Sequence, residues 1–110
     1  MMKVALSSAA LGLLRALISR SEVAGDRILL TDWRSTDWQS LTFGGERHEI
    51  QLRVLGADSL DVVRRLTTGL EDAELRVPGH IVTDIAVASG PERSDEGSTV
   101  LGIEALTIAE

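Results

Sequence analysis

Cysteine is absent from this sequence, and aromatic residues make up only 3% of it. The absence of cysteine excludes disulfide bonds, thiolate metal ligands and a cysteine nucleophile. Because Trp33, Trp38 and Phe43 are the only aromatic residues, a hydrophobic core has to be built from leucine, isoleucine, valine and alanine. The chain has 110 residues, which is enough for one such core, and we expect residues 1–110 to form a single domain.

Basic residues are also scarce, since 11 lysines and arginines stand against 17 aspartates and glutamates and give a net charge of −6. A protein that binds nucleic acid tightly needs a basic surface to neutralise phosphates. The charge balance therefore argues against tight binding of DNA or RNA.

Long apolar runs are missing as well, and a membrane span needs about 18 or more consecutive apolar residues. The N-terminus begins as a secretory signal would, with Lys3 followed by the apolar residues 4–14. Arg15 interrupts that run, and Ala16, Leu17 and Ile18 continue a helical pattern. We therefore favour a packed amphipathic helix over a signal peptide, and expect the protein in the cytoplasm or in a particle assembled there.

The spacing of apolar residues predicts an α+β fold. Helical spacing predicts a first helix over residues 5–19 and a second one that starts at Asp58-Ser59 and carries its apolar stripe to Ala73. Strand patterns cover residues 27–33, 46–55, 80–88 and 99–108, with Gly44-Gly45 as a turn signal and a polar loop over residues 90–98. We expect a two-layer sandwich, with a mainly antiparallel sheet of four to five strands and both helices on one face.

Side-chain alternation assigns faces to the strands. In the second strand His48, Ile50, Leu52 and Val54 share one face, which we expect to be buried. The two C-terminal strands carry small or apolar residues on both faces, so their second face has to meet water in part or another chain. In the first of these strands, residues 80–88, alternation predicts that one face carries Ile81, Thr83, Ile85 and Val87. The opposite face is predicted to carry Val82, Ala86 and Ala88.

Catalytic and metal-binding patterns are weak. The two histidines, His48 and His80, lie in no H-E-x-x-H frame, and a metal site from Glu46, His48 and His80 has no local spacing in its favour. We favour a His48 at the rim of the core, hydrogen-bonded to its own loop. Paired carboxylates such as Asp95-Glu96 are typical of a solvated surface. We predict no catalytic residue, no metal ion and no cofactor.

The segment TDWRSTDWQS, residues 31–40, repeats Thr-Asp-Trp at an offset of five and holds both tryptophans. On a continuous strand, an odd offset places Trp33 and Trp38 on opposite faces. The repeat therefore does not predict one aromatic cage. It favours one tryptophan in the core and the other at a sheet edge or a partner surface.

The order of elements and several short motifs resemble the tail-completion, or tail-terminator, proteins of long-tailed phages and gene transfer agents. Letter-level similarity lies in VAGDRI (residues 23–28), in DWQSLTFGGERHEIQLRV (residues 37–54) and in PGHIV (residues 78–82). Many relatives have a proline-rich stretch between the first turn and the Asp-Trp strand, and this chain lacks it or has it compressed.

The resemblance implies a structural virion protein and no enzyme. Such proteins cap the tail tube, end its polymerisation and join it to the head connector as a ring, here expected to be a hexamer. The expected partners are further copies of the chain, the tail tube protein and the connector or stopper protein, while DNA passes through the lumen without specific binding. The expected location is the head-proximal end of the tail, after assembly in the bacterial cytoplasm.

Within that resemblance, we expect Trp33 in the core and Trp38 at a hairpin that touches a neighbouring protomer or the tube. Arg47 is expected to pair with an acidic residue across that contact. The candidate interface residues are Trp38, Phe43, Gly44, Gly45 and Arg47, together with Glu92, Arg93, Asp95 and Glu96. Two alternatives stay open: a connector stopper or minor tail subunit, and a small cellular α+β ligand-binding module or enzyme.

Overall fold

The computed structural model of the protein describes residues 6–110. It contains two α-helices and four strands, and short 3₁₀ turns at Gly25–Arg27 and Leu70–Asp72. The strands form one antiparallel sheet in the order β1-β2-β4-β3. The predicted α+β fold is confirmed. The elements are α1 (Ser8–Ser21), β1 (Ile28–Gln39), β2 (Gly44–Val54), α2 (Ser59–Thr67), β3 (His80–Arg93) and β4 (Thr99–Ala109).

The core lies between the helices and one face of the sheet, which we call the inner face. Burying each large aliphatic side chain there stabilises the fold by about 1.5–3 kcal/mol. Along β2 the expected alternation is confirmed, because His48, Ile50, Leu52 and Val54 are all buried. The helices and β4 supply much of the rest: Leu13, Leu17, Val62, Val63, Leu66, Leu101 and Ile103.

Helix α1 begins at Ser8 because Ser7 caps it. The Ser7 hydroxyl accepts a hydrogen bond from the backbone N–H of Ala10 at 3.1 Å. The helix ends at Ser21, two residues later than predicted, and Glu22 follows in the left-handed region with φ 61°. Ala5, where the predicted helix began, lies outside the described residues.

Helix α2 starts where the sequence predicts but ends early. Asp58 occupies the capping position, yet its carboxylate accepts from Arg27 and not from the N–H groups of the helix. The helix stops at Thr67 because Gly69 adopts φ 71°, outside the helical region. Leu70 still reaches the core from the following 3₁₀ turn.

The strands are longer than the sequence predicts. β1 runs on to Gln39 and so includes most of the Thr-Asp-Trp repeat. Gly44-Gly45 was predicted as a turn, but both residues belong to β2, and the turn is formed by residues 40–43. β3 continues to Arg93, which shortens the predicted polar loop to residues 94–98.

The faces predicted for β3 are wrong for Ile81 and Val82, because Thr83 lies at a bulge, whereas Ile85 and Val87 share a face opposite Ala86 as predicted. The register shifts between Val82 and Asp84, so Val82 and Ile85 both pair with inner-face residues of β4. Ile81 falls on the opposite face and is 51% exposed. Strict alternation cannot anticipate an extra residue in one strand.

Candidate interaction surface

The β1–β2 hairpin ends in an apolar tip. Ser40 closes the turn, since its backbone N–H donates to the carbonyl of Phe43 at 2.8 Å and its hydroxyl accepts from the Phe43 N–H at 3.0 Å. Leu41 is fully exposed, and Phe43 is 56% exposed. Exposed large apolar side chains that lie together are candidates for an interaction site. We call residues 40–43 the hairpin tip.

A band of residues continues from the tip across the face that the helices leave uncovered, the outer face. Trp38 pairs with Gly45, Gly45 with Ile108, and Ile108 with Ile81. Residues in direct register share a face, so one cross-strand row spans all four strands. Trp38 and Ile108 are half-buried, and Ile81 is exposed. We call these four residues the outer row.

Gly45 fits the outer row because there is no room for a side chain. A Cβ atom at this position would lie 2.0 Å from the carbonyl oxygen of Thr107 on β4. The glycine therefore permits close packing of β2 and β4 at this point. At Gly44, next to it, a Cβ atom would meet no other atom within 4 Å.

The two tryptophans lie on opposite faces, as the offset of five predicts. Trp33 pairs with the buried Ile50 on the inner face, while Trp38 pairs with Gly45 on the outer face. Trp33 was expected in the core, and it is partly buried and packed against the edge of the core. The two Thr-Asp-Trp segments therefore belong to one strand, and their tryptophans lie on two different faces of the sheet.

Arg47 also lies on the outer face, one row away from Trp38. It pairs with Thr36 on one side and Leu106 on the other. A small cavity of about 30 Å³ beside it is lined in part by Asp84 and Glu104. No carboxylate of residues 6–110 lies within 4.0 Å of a nitrogen of the Arg47 guanidinium, so the predicted pairing across a contact remains a prediction.

The second predicted group lies at the other end of the sheet. Glu92 and Arg93 are the last residues of β3 and pair with the start of β4, and Asp95 and Glu96 follow in the loop. The Glu96 carboxylate binds the guanidinium of Arg53. From the hairpin tip to this loop β2 runs for 11 residues, roughly 35 Å at about 3.3 Å per residue. The structure therefore does not bring the two predicted groups together.

A polar network around His48 was not anticipated from the sequence. His48 is fully buried, and its Nδ1 lies 2.8 Å from the hydroxyl of Ser35 on β1 while its Nε2 lies 2.9 Å from the hydroxyl of Thr107 on β4. Trp33 Nε1 donates to Ser35 at 2.7 Å. The prediction that His48 bonds its own loop is wrong, because its partners come from the two neighbouring strands. Only the register of the sheet identifies them.

Burial governs the protonation of this imidazole. Loss of hydration lowers the pKa of His48, the nearby negative charge of Glu46 opposes that change, and the positive charge of His80 adds to it. Both ring nitrogens are occupied by hydroxyl groups, so neither is free to bind a metal ion. Within residues 6–110 no group of three or more histidine, aspartate and glutamate side chains is placed to hold a metal.

An open groove lies at the β3 edge of the sheet, at the same end as the hairpin tip. It has a volume of about 540 Å³ and includes the segment before β3 and the first residues of that strand. Its wall is mixed: Leu75, Pro78, Ile81 and Val82 supply the apolar part, and Glu74, Arg76, His80 and Glu110 the polar part. A second open cavity, next to it, shares Glu74, Leu75 and Arg76 with the groove and adds Arg15 and Arg20.

None of the helices in the described part of the chain is both long and apolar enough to cross a membrane. A scan of the sequence against protein-family models finds no match, and a search of curated proteins finds none that is significantly similar. A functional proposal for this chain therefore depends on its own residues and their geometry.

Proposed function

We propose that this protein is a tail-terminator subunit, which caps a tail tube, ends its polymerisation and joins it to the head connector as part of a ring. The observation that supports this proposal best is the apolar hairpin tip beside the outer row. Leu41 and Phe43 are exposed to solvent in the single chain. Trp38 lies next to them on the uncovered face, and Ile81 lies at the other edge of that face. Surfaces of this kind are typical of a protein whose partners complete it.

The arrangement of the sheet is compatible with a ring. A ring is built from a head-to-tail contact that closes on itself, so each subunit needs two different complementary surfaces. β1 and β3 form the two edges of the sheet. The hairpin tip extends from the β1 side and the groove lies on the β3 side. We expect six subunits from the family resemblance.

The expected partners follow from the same proposal. The tail tube protein and the connector or stopper protein would meet the two ends of the ring. DNA would pass through the lumen without adhering, because a chain with a net charge of −6 has little attraction for phosphates.

Electron microscopy of particles assembled without this gene tests the proposal. We expect filled heads next to separate tails, some of them overlong. Normal tailed particles after the deletion would exclude a role in the virion. Tails of normal length together with heads that have lost their DNA would instead favour a connector stopper, and antibody labelling away from the head-proximal end would favour a minor tail subunit.

Single substitutions then test the surface. Trp38→Ala and Phe43→Ser are expected to fail in restoring tailed particles to the deletion, because each removes an apolar side chain that a partner covers. Thr42→Ser, in the same turn, is the matched control and is expected to restore them. Circular dichroism checks that the variants are folded. If Trp38→Ala left both stability and assembly intact, this surface would not be the interface.

A second candidate, a small hydrolytic enzyme, is favoured by the contact between the Ser35 hydroxyl and His48 Nδ1 at 2.8 Å. In a serine hydrolase, the other histidine nitrogen donates to a carboxylate that stabilises the imidazolium. Here His48 Nε2 faces the neutral hydroxyl of Thr107. Hydrolysis of p-nitrophenyl acetate by the natural chain that is lost in Ser35→Ala would favour the enzyme. Equal rates of hydrolysis for the natural chain and Ser35→Ala would exclude the enzyme.

A further inference from the structure

We propose that the free edge of β1 binds an extended segment of a different protein as an additional strand, and that this segment carries a basic residue in register with Asp37. Main-chain hydrogen bonds hold such a strand, and its side chains provide the specificity. This edge site goes beyond the proposed function and does not depend on it.

The two edges of the sheet differ in how well they can accept another strand. Along β3 the register with β4 shifts at three places, and Pro91 offers no N–H group. Bulges and prolines protect an edge from further pairing. β1 is the other edge strand, and its register with β2 is unbroken over residues 32–39. These residues include no proline, and all but Trp33 and Trp38 are exposed, so β1 is the edge that remains open to a further strand.

The turn of the hairpin shows which backbone groups of β1 are free. The Ser40 N–H donates to the Phe43 carbonyl, and hydrogen-bonded and non-hydrogen-bonded pairs alternate from there along an antiparallel ladder. The pair of Gln39 with Gly44 is therefore of the non-hydrogen-bonded kind, and so is every second pair after it. In such pairs the N–H and C=O groups point away from the partner strand. Four residues of β1 thus direct both groups to the free edge: Trp33, Ser35, Asp37 and Gln39.

The charge at Asp37 defines the partner. Asp37 lies directly opposite Glu46 on the inner side of the sheet, and like charges in direct register repel each other. Within residues 6–110 no basic nitrogen lies within 4.0 Å of either carboxylate. A strand added to β1 places one residue opposite Asp37 on its free side, about 5.5 Å away between Cα atoms. An arginine or lysine there offsets the repulsion and an acidic residue adds to it, so the edge selects its partner by charge.

A second copy of the chain does not supply this charge. None of the residues of β1 that share the inner side is basic: Ile28, Leu30, Trp33, Ser35, Asp37 and Gln39. Two copies joined through β1, with their helices on the same side, therefore bring no basic residue to Asp37. The bulges of β3 oppose the joining of β1 to β3 of another copy. The occupant is therefore a segment of a different protein.

Tryptophan fluorescence tests the site, because both tryptophans of the chain lie on β1 and the chain has no tyrosine. The probe is the heptapeptide TVRTTTV with blocked termini, which contains no aromatic residue. Paired antiparallel to residues 33–39, it places its arginine opposite Asp37 and its two valines opposite Trp38 and Trp33. The comparison peptide, TVETTTV, carries glutamate in place of the arginine.

We expect the arginine peptide to change the tryptophan emission saturably, with a Kd at least about threefold lower than that of the glutamate peptide. Asp37→Lys should reverse this preference. Asp95→Lys is the matched control, because it changes the net charge equally at an exposed residue in the loop at the far end of the sheet, and it should leave the preference in place. Circular dichroism checks that both variants are folded.

Hydrogen exchange then locates the contact. The amides of the four free-edge residues should exchange more slowly when the arginine peptide is bound, while those of the even-numbered residues 32–38, already bonded to β2, should change little. No saturable signal up to millimolar peptide, equal affinity for both peptides, or protection of β3 instead of β1 would each overturn the proposal. Protection that grows with protein concentration in the absence of peptide would also overturn it, because the occupant would then be a second copy. The gene deletion does not bear on this site, and the peptide results do not bear on the tail-terminator role.

Discussion

The indole of Trp33 meets the imidazole of His48 edge to face, with 5.7 Å between the ring centroids and 67° between the planes. The contact places an aromatic cover over a histidine that has no exposed surface. Trp33 also donates to Ser35, which in turn contacts His48. One strand, β1, thus supplies both the cover and a hydrogen-bond partner of the buried imidazole.

We expect the free energy of unfolding to decrease as the pH falls below about 6.5, the ordinary pKa of histidine. Burial lowers the pKa of His48 in the folded protein, so the unfolded chain binds more protons in this range. Stability therefore rises with pH through the interval between the two pKa values and is lost on acidification. Urea unfolding between pH 5 and about 7.5 measures this slope.

Variants assign that slope to His48. His48→Asn should flatten the dependence of the unfolding free energy on pH. His80→Asn is the control and should leave most of that dependence unchanged. Glu46→Gln should steepen it, because the charge of Glu46 raises the pKa of His48 and so opposes the effect of burial. A slope that persists unchanged in His48→Asn would contradict this explanation.

Thr107→Val should destabilise the protein by about 1–3 kcal/mol. The variant keeps the shape of the side chain but removes the hydroxyl at 2.9 Å from His48 Nε2, which leaves a buried polar atom without a partner. Thr107→Ser restores a hydroxyl and is expected to recover part of the loss. Thr36→Val, at an exposed position of β1, is the control and should stay within about 0.5 kcal/mol of the natural chain. Chemical denaturation compares the four proteins.

Gly45→Ala should destabilise the fold by about 1–3 kcal/mol. Its Cβ would lie 2.0 Å from the backbone oxygen of Thr107, so β2 and β4 would have to move apart. Gly44→Ala is the matched control, because open space surrounds its Cβ, and we expect it to be neutral or slightly stabilising. Melting temperatures of the two variants provide the comparison. Equal losses at both positions would show that close approach of the strands is not the cause.

Leu66→Ala and Leu41→Ala separate folding from interaction. Leu66 is fully buried between α2 and the sheet, and its truncation should cost about 2–5 kcal/mol. Leu41 is fully exposed, so its truncation should change the free energy of unfolding by less than about 0.5 kcal/mol. Urea unfolding measures both. A large loss from Leu41→Ala in dilute monomer would mean that the tip packs on its own chain.

The candidate surface could be predicted only in part. Trp38 and Phe43 were expected at a hairpin from the family resemblance, and the β1–β2 hairpin contains both, although the strand pattern ended at Trp33 and the turn was predicted at Gly44-Gly45. The groove could not be anticipated, since residues from the segment before β3 and Glu110, just after β4, meet only in the folded protein. The charged loop around Asp95 was predicted with the same interface, yet it lies at the far end of the sheet.

The sequence by itself determined the type and order of the main elements and much of the core, but not where each element ends. Apolar spacing placed Leu13 and Leu17 on one side of α1 and the even-numbered residues of β2 on the inner face, because periodicity is a local property of the chain. The tertiary structure alone decided which strands are neighbours. It therefore decided that the hydroxyls of Ser35 and Thr107 form hydrogen bonds with the two ring nitrogens of His48. It also decided, through the bulge at Thr83, that Ile81 faces outward. Strand order and register depend on contacts between residues far apart in the chain, and no local pattern records them.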